Sequence, residues 1–405
     1  MEKIRFIHCA DLHLDSPFKG LQHLPAELFA RIQNSTFAAF EKLVQAAIHE
    51  QVDFMVISGD LFDEEDRSIR AQARLLNQFN LLHKNEIPVY IIHGNHDYLG
   101  GFRLRLDMPD NIHVFSDETE VKELNTKYGA VVKITGFSYG TRHIRDRRIS
   151  EYPKQLEADY VIGLLHGSEG SVHSEHESYA PFSISELKEK NYHYWALGHI
   201  HQRQILNSEP PIVYPGNIQG RHRKETGEKG CYLVELDKHD AFLTFIPTQE
   251  IIWGEVEVSL DGFERFGEIY QHIKRAAEEY ETQCDCLLQI HVRDVSGLSP
   301  DILAAIENGD LLQALQADSA AGETVKWIHS IKSAPPETDI DSKDPFIKDV
   351  LHTITNMDAD DGRKALAELI EHPGLYRFMD PLEEEEMSDL VQEAVELILH
   401  PPRVQ

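Results

Sequence analysis

Four short segments rich in metal-ligating side chains recur in a fixed order along the first 201 residues: Asp11-Leu12-His13, Gly59-Asp60-Leu61-Phe62-Asp63, Gly94-Asn95-His96-Asp97 and Gly198-His199-Ile200-His201. A lone His166 stands between the last two. Each follows an apolar run of strand character: Ile4 to Ala10, Phe54 to Ser58, Val89 to His93, Val161 to Leu165 and Trp195 to Leu197. Ligands delivered at the carboxyl ends of buried strands commit the chain to an α/β fold, because that edge is where open sheets build their sites.

At 405 residues the chain exceeds one ordinary core, so two or three domains are expected. Met1-Glu2-Lys3 runs straight into a strand, without the apolar core and small-residue cleavage site of a secretory signal. No stretch approaches the ~18 apolar residues of a membrane span. The expectation is a cytoplasmic protein that does not enter a membrane. Cys9, Cys231, Cys284 and Cys286 form neither a disulfide framework nor a zinc-ribbon spacing, and Cys284 and Cys286 read as half-buried side chains at a strand entrance.

The formal net charge of −30 argues against wrapping nucleic acid by bulk attraction. The charge is uneven. Residues 1–249 carry 27 Lys+Arg against 35 Asp+Glu, net −8, whereas residues 250–405 carry 12 against 34, net −22. A nucleic-acid surface is therefore permitted on the first part and disfavoured on the rest. Two basic clusters in the first part, Arg142, Arg145, Arg147 and Arg148, and Arg221, Arg223 and Lys224, read as solvated loops or as contacts to phosphates. The histidine-rich stretch from His173 to His176 reads as a loop rather than a third metal site.

Strand and helix alternate from Ile4 to about Ser116. Pro25 to Glu50 carries Leu28, Ile32, Phe37, Phe40, Leu43, Val44, Ala47 and Ile48 at helical spacing, and Ser68 to Lys84 forms a second helix. Such crossovers imply a largely parallel sheet. From Ala130 onward strands dominate, including Gly230 to Leu236 and Phe242 to Ile246, and a second, mixed sheet packed on the first is the economical arrangement. After Pro247 the pattern becomes a compact βαβαβ unit, with one helix from Pro300 to Leu315, and Ser333-Ala334-Pro335-Pro336-Glu337 then reads as a linker. Helical segments follow from about Pro345 to Leu399. The last places Met387, Leu390, Val391, Ala394, Val395 and Ile398 on one face, fit to dock on the chain itself or on a partner. The division expected is a catalytic domain over 1–249, a small α+β capping domain over 250–333, and a linker with a helical partner-docking segment over 334–405.

Asp11, Asp60 and Asn95 offer three oxygens and His13, His166, His199 and His201 four imidazoles, too many for one ion. Two sites follow if one carboxylate bridges. Nitrogen and oxygen ligands without thiolate suit Mn²⁺ first, with Fe²⁺ or Zn²⁺ as alternatives. Paired divalent ions about 3.5–4 Å apart polarise a phosphoryl group and stabilise the entering and leaving oxygens of an in-line displacement, so phosphoester hydrolysis is the expected chemistry.

The pattern D-x-H, G-D-x-x-D, G-N-H-[DE], H and G-H-x-H resembles the signature of the calcineurin-like metallophosphoesterase superfamily. The resemblance implies a two-sheet sandwich in which Asp11, His13, Asp60 and His201 hold one metal and Asp60, Asn95, His166 and His199 the other, with Asp60 bridging. It assigns His96 to stabilising the transition state or protonating the leaving oxygen. Asp63, three residues after the bridge, is placed to orient His96 and favour its charged form, and Asp97 to serve as a structural hydrogen-bond partner.

Within the superfamily, Asp11 to Leu14, Ser58 to Asp63, Ala196 to His201 and Tyr214-Pro215-Gly216-Asn217 are similar to SbcD-type DNA repair nucleases, and to their YhaO-type bacterial branch. Archaeal and eukaryotic relatives carry histidine where this chain has Asp63. This resemblance implies a Mn²⁺-dependent DNA exo- or endonuclease acting with an SMC-like ATPase partner, and a homodimer. The competing readings are a nucleotide or small-molecule phosphoesterase, and a regulatory or scaffolding subunit that keeps the metal fold.

Overall fold

The computed structural model describes residues 3–333 apart from 19–20, 22–23, 64–67, 101–106, 171–178, 238–239 and 318–323; beyond 333 it describes 349–350, 353, 361–362, 364–366, 390 and 394. The stretch from His173 to His176 lies outside the described residues, as do the expected linker beyond Ser333 and most of the expected docking helices.

The chain runs β1 (Ile4–Cys9), α1 (Ala26–His49), β2 (Phe54–Ser58), α2 (Ile69–Lys84), β3 (Val89–Ile92), β4 (Ile112–Val114), β5 (Glu120–Asn125), β6 (Val131–Gly136) and β7 (Tyr160–His166). It continues with α3 (Ile184–Lys188), β8 (Tyr194–Gly198), β9 (Gln204–Ser208), β10 (Pro211–Tyr214), β11 (Gly230–Leu236) and β12 (Ala241–Pro247). A last group comprises β13 (Ile251–Ser259), α4 (Phe266–Glu278), β14 (Asp285–Arg293), α5 (Pro300–Glu307), α6 (Asp310–Ala317) and β15 (Lys326–Ser333).

Two six-stranded mixed sheets form the body, in the orders β12-β11-β1-β2-β3-β4 and β5-β6-β7-β8-β10-β9. Phe6, Phe54, Val56 and Ile92 of the first pack against Ile134, Ile162, Leu164 and Tyr194 of the second, all fully buried. Each such side chain contributes roughly 1.5–3 kcal/mol relative to exposure. The central strands read as unbroken apolar runs because both their faces are covered. Edge strand β5 alternates half-buried and exposed residues, as a strand with one wet face should.

Helix α1 buries Phe40, Leu43, Val44 and Ala47 against the outer face of the first sheet, while Leu28 and Ile32 near its start turn to other partners. In α2 the Ser68 hydroxyl accepts the Ala71 N–H at 3.0 Å, which fixes where the helix starts.

Two readings are corrected. Strands β11 and β12 do not extend the second sheet: β11 pairs antiparallel with β1, closing the edge opposite β2. Strand patterning shows which residues are extended but not which open edge they fill. The helix expected over Pro300 to Leu315 is two, because Asn308 stops α5 and its side-chain oxygen accepts the Asp310 N–H at 3.0 Å to start α6.

In the third sheet, β13, β14 and β15 are all parallel. The core of this unit joins Val258, Leu288, Ile290 and Val292 to Ile269, Ile273, Ile302 and Leu311 from the helices. Its other face reaches the body through Ile251, Trp253 and Leu287, which pack with Phe18, Leu28 and Ile32. Arg31 pairs with the buried Asp285 at 2.5 Å across this contact. Among the described residues no helix is long and apolar enough to cross a membrane.

Candidate metal centre

The ligand loops leave their strands through backbone that L-residues avoid. Asp11, His13, Asp60 and His199 have φ of 51, 42, 50 and 99°. Such conformations cost about 1–3 kcal/mol each and persist only where the surroundings enforce them. Here the segments after β1 and β2 run side by side, with N–H groups of Asp11, His13 and Leu14 donating to the carbonyls of Gly59, Asp60 and Leu61 at 3.1, 3.0 and 2.9 Å. Gly59 has φ of 99°, and a Cβ there would run into the His166 ring; a Cβ at Gly94 would meet both His166 and the Asp60 carboxylate. The two motif glycines leave the space in which that imidazole and that carboxylate meet.

Asp11, His13 and His201 bring one ligand atom each within 4.8 Å of one another, as do Asp11, Asp60 and His166. In the first group His13 Nε2 and His201 Nε2 lie 3.0 Å apart. Behind them, His13 Nδ1 is 3.0 Å from Asp63 Oδ1 and His201 Nδ1 is 2.6 Å from Glu225 Oε1. With the Nδ1 side of each ring turned to a carboxylate, both Nε2 atoms face the same space. A cation between them converts that close approach into ligation.

In the second group His166 Nδ1–H donates to the Ser58 carbonyl at 2.9 Å, while Nε2 lies 2.9 Å from Asn95 Oδ1 and 3.3 Å from Asp60 Oδ2. The same Asp60 oxygen is 3.9 Å from His13 Nε2, so Asp60 stands between the groups. The His199 ring is 5.2 Å from the His166 ring, and its backbone N–H donates to both Asp11 oxygens at 3.0 and 3.1 Å. All seven residues singled out as ligands thus surround one buried volume, and the donor set fits a pair of divalent cations.

Burial and neighbouring charges pull on these groups in opposite directions. Burial pushes the Asp11 carboxyl up to about 6 against the pull of His166 and His201. Burial also raises Asp60, but His166, His96 and His13 outweigh it and hold that carboxyl well below its usual range. Burial drives His13 and His199 down to about 3, helped by Arg221 beside the first and His166 beside the second. His166 moves up to about 9 because Asp60 and Asp11 outweigh the burial that would lower it. Such a cluster readily exchanges its protons for metal.

His96 stands beside this volume, its ring 5.0 Å from that of His13. Its backbone N–H donates to Asp60 Oδ1 at 3.0 Å and its Nδ1–H to the Asp63 carbonyl at 2.8 Å, which leaves Nε2 for proton transfer. The Asp63 carboxylate lies 4.0 Å from His96 Nδ1 and is also engaged, more closely, by His13, by the Ser16 hydroxyl at 3.1 Å and by the Arg221 guanidinium. A buried carboxylate takes its charged partner first. Asp63 therefore orients His96 through its main chain and His13 through its side chain.

Asp97 accepts from the N–H groups of Leu61 and Gly94 at 3.2 and 2.7 Å and from His93 Nδ1 at 2.6 Å, tying two ligand loops together. Glu225 escaped the sequence reading, and Arg221 was grouped with Arg223 and Lys224. The structure leaves those two exposed and half-buries Arg221 against Asp63. In the other basic cluster Arg147 pairs with Glu186 at 2.5 Å and Arg148 with Glu151 at 2.7 Å. Only Asn217, in the Pro-Gly-Asn segment, hinted at this loop: its side-chain N–H donates to Glu225 Oε2 at 2.8 Å.

Residues 4–203 match the family model described as calcineurin-like phosphoesterase. The Bacillus subtilis (strain 168) protein described as an uncharacterized metallophosphoesterase, YhaO, is 36% identical over 398 residues, 96% of each chain. The DNA double-strand break repair protein Mre11 of Methanocaldococcus jannaschii is 25% identical over 285 residues, 67% of this chain and 73% of its own. A dimetal phosphatase from Danio rerio aligns with 60% of this chain and 98% of its own at 12% identity and a TM-score of 0.37, too distant a likeness to bear on function. Two facing mixed sheets, ligand loops at their strand ends and near full-length similarity to a metallophosphoesterase have one explanation: the chain belongs to the calcineurin-like metallophosphoesterases.

Proposed function

We propose that this phosphoester hydrolase is a di-metal, Mn²⁺-dependent phosphodiesterase that cleaves DNA in the manner of the SbcD-type nucleases, acting in the cytoplasm beside an SMC-like ATPase in DNA repair. The observation that carries the di-metal chemistry is Asp60, whose one oxygen lies between His166 and His13. Similarity to Mre11 proteins, named for double-strand break repair, supports DNA as the substrate.

In this reading Asp11, His13, Asp60 and His201 hold one ion and Asp60, Asn95, His166 and His199 the other. Bound ions supply the polarisation of the phosphoryl group and neutralise the charge that develops on its oxygens. His96, fixed through Nδ1 by the Asp63 carbonyl, presents Nε2–H to the departing oxygen. DNA lies on the part of the chain with net charge −8, away from the residues that carry −22. The segment 334–405 docks the ATPase, and a homodimer completes the assembly.

The test sets purified protein with Mn²⁺ against linear duplex, single-stranded DNA and p-nitrophenyl esters in parallel. Cleavage of DNA that a chelator abolishes is the expected result. Ester hydrolysis with neither DNA cut would replace this reading by a small-molecule phosphoesterase, and chelator-insensitive cleavage would mark a contaminant. Deleting residues 337–405 should abolish capture of the ATPase; capture that survives the deletion overturns the docking assignment.

A further inference from the structure

We infer that Arg221 is a positioning residue of the metal centre: although cationic, it strengthens cation binding by His13 and His201, because it fastens the two carboxylates that orient them. The inference rests on the di-metal reading above. Its guanidinium engages Asp63 Oδ1, the oxygen that lies 3.0 Å from His13 Nδ1. Its backbone N–H donates to Glu225 Oε2 at 2.5 Å, and the other oxygen of Glu225 holds His201 Nδ1 at 2.6 Å. One residue thus joins both carboxylate–imidazole pairs, whose Nε2 atoms converge to 3.0 Å.

The other imidazole with a mapped anchor, His166, is held by the Ser58 main chain and owes nothing to this joint. The effect of Arg221 should therefore fall on one ion of the pair. The loop that carries it is itself fixed: Gln219 accepts from the Glu250 N–H at 2.8 Å, and Trp253 Nε1–H donates to the Gly220 carbonyl at 3.2 Å. His13, Asp63 and His96 also cluster closely enough for a cation, but the guanidinium on Asp63 already fills that role.

A bare positive charge near metal ions and a positioning role predict opposite outcomes. Removing mere charge would tighten cation binding; Arg221→Gln, which cuts the side-chain arm on Asp63 while its backbone N–H stays on Glu225, should weaken it. Calorimetric titration of metal-stripped wild type and Arg221→Gln with Mn²⁺, paired with electron paramagnetic resonance of the bound ions, separates the two. Wild type should bind two ions, whereas Arg221→Gln should keep one near wild-type affinity and weaken the other by about 10–100-fold.

Two ions bound by Arg221→Gln as tightly as by wild type, or more tightly, would overturn the inference. Should Arg221→Gln not fold by circular dichroism, Asp63→Asn and Glu225→Gln carry the same test. Each should weaken the same single ion, and wild-type affinities in both would overturn the proposal. A wild type that binds fewer than two ions sinks the di-metal reading itself, and this inference with it.

Discussion

The two-sheet body and the third-sheet unit are both strands joined by helical crossovers, yet they distribute strain and charge differently. In the body, eleven described non-glycine residues have positive φ, and four of them, Asp11, His13, Asp60 and His199, lie where carboxylates and imidazoles are packed together. In the described residues from Ile251 on, Asp294 is the sole non-glycine residue with positive φ, in the turn after β14. In that unit Asp285 is held by Arg31 and the Val325 N–H, and Gln289 by His291 and Ser330. Topology does not make a site; loops that hold costly conformations at strand ends do. The regions meet at residues 217–227, where the body's loop binds β13 through Gln219 and Gly220 while its Arg221 and Glu225 face the metal centre.

That contrast can be broken experimentally. The largest effect is expected from Asp60→Asn, which removes the shared carboxylate: both ions should leave together and turnover should become undetectable, while one ion per chain at full occupancy by metal analysis would refute the bridge. His96→Ala comes next. It should spare metal content and lower turnover by about 10²–10⁴-fold, and unchanged steady-state rates would remove His96 from the mechanism.

Proton competition gives a smaller, graded effect. Metal needs His166 neutral and Asp11 ionised, so apparent Mn²⁺ affinity should weaken as pH falls from about 9, where His166 takes its proton, and more steeply below about 6, where Asp11 does. The slope should be about tenfold per pH unit for each proton displaced. Chelator competition between pH 6 and 9 measures it, and a flat profile would contradict the proton–metal exchange.

The least effect on the centre is expected from the third unit. Leu288→Ala opens a cavity in its core and should cost about 2–5 kcal/mol of that unit's stability in denaturant unfolding. Metal stoichiometry should not change, and loss of an ion would mean that the two regions are coupled more tightly than their separate cores suggest.

Much of this was legible from residues alone, because metal ligation constrains residue type and spacing at once. Asp11 and His13, or His199 and His201, need only a strand end and a tight turn to reach one volume, and both requirements are local. The carboxylates behind them were not legible. Glu225 lies 24 residues from His201, and nothing in its neighbours marks it as the group that holds that ring. Asp63 was placed beside His96 by its spacing, yet its carboxylate follows a cation 158 residues away. The same limit applies to β11, whose apolar run is plain but whose pairing with β1 depends on which edge the fold leaves open.

The sequence by itself determined the ligand types and their strand-end positions, since each is dictated by bonds a few residues long. Only the tertiary structure decided which side chain faces which. Asp63, Arg221 and Glu225 select partners by charge and distance inside a buried volume, and that volume exists only once two sheets and a returning loop have closed around it.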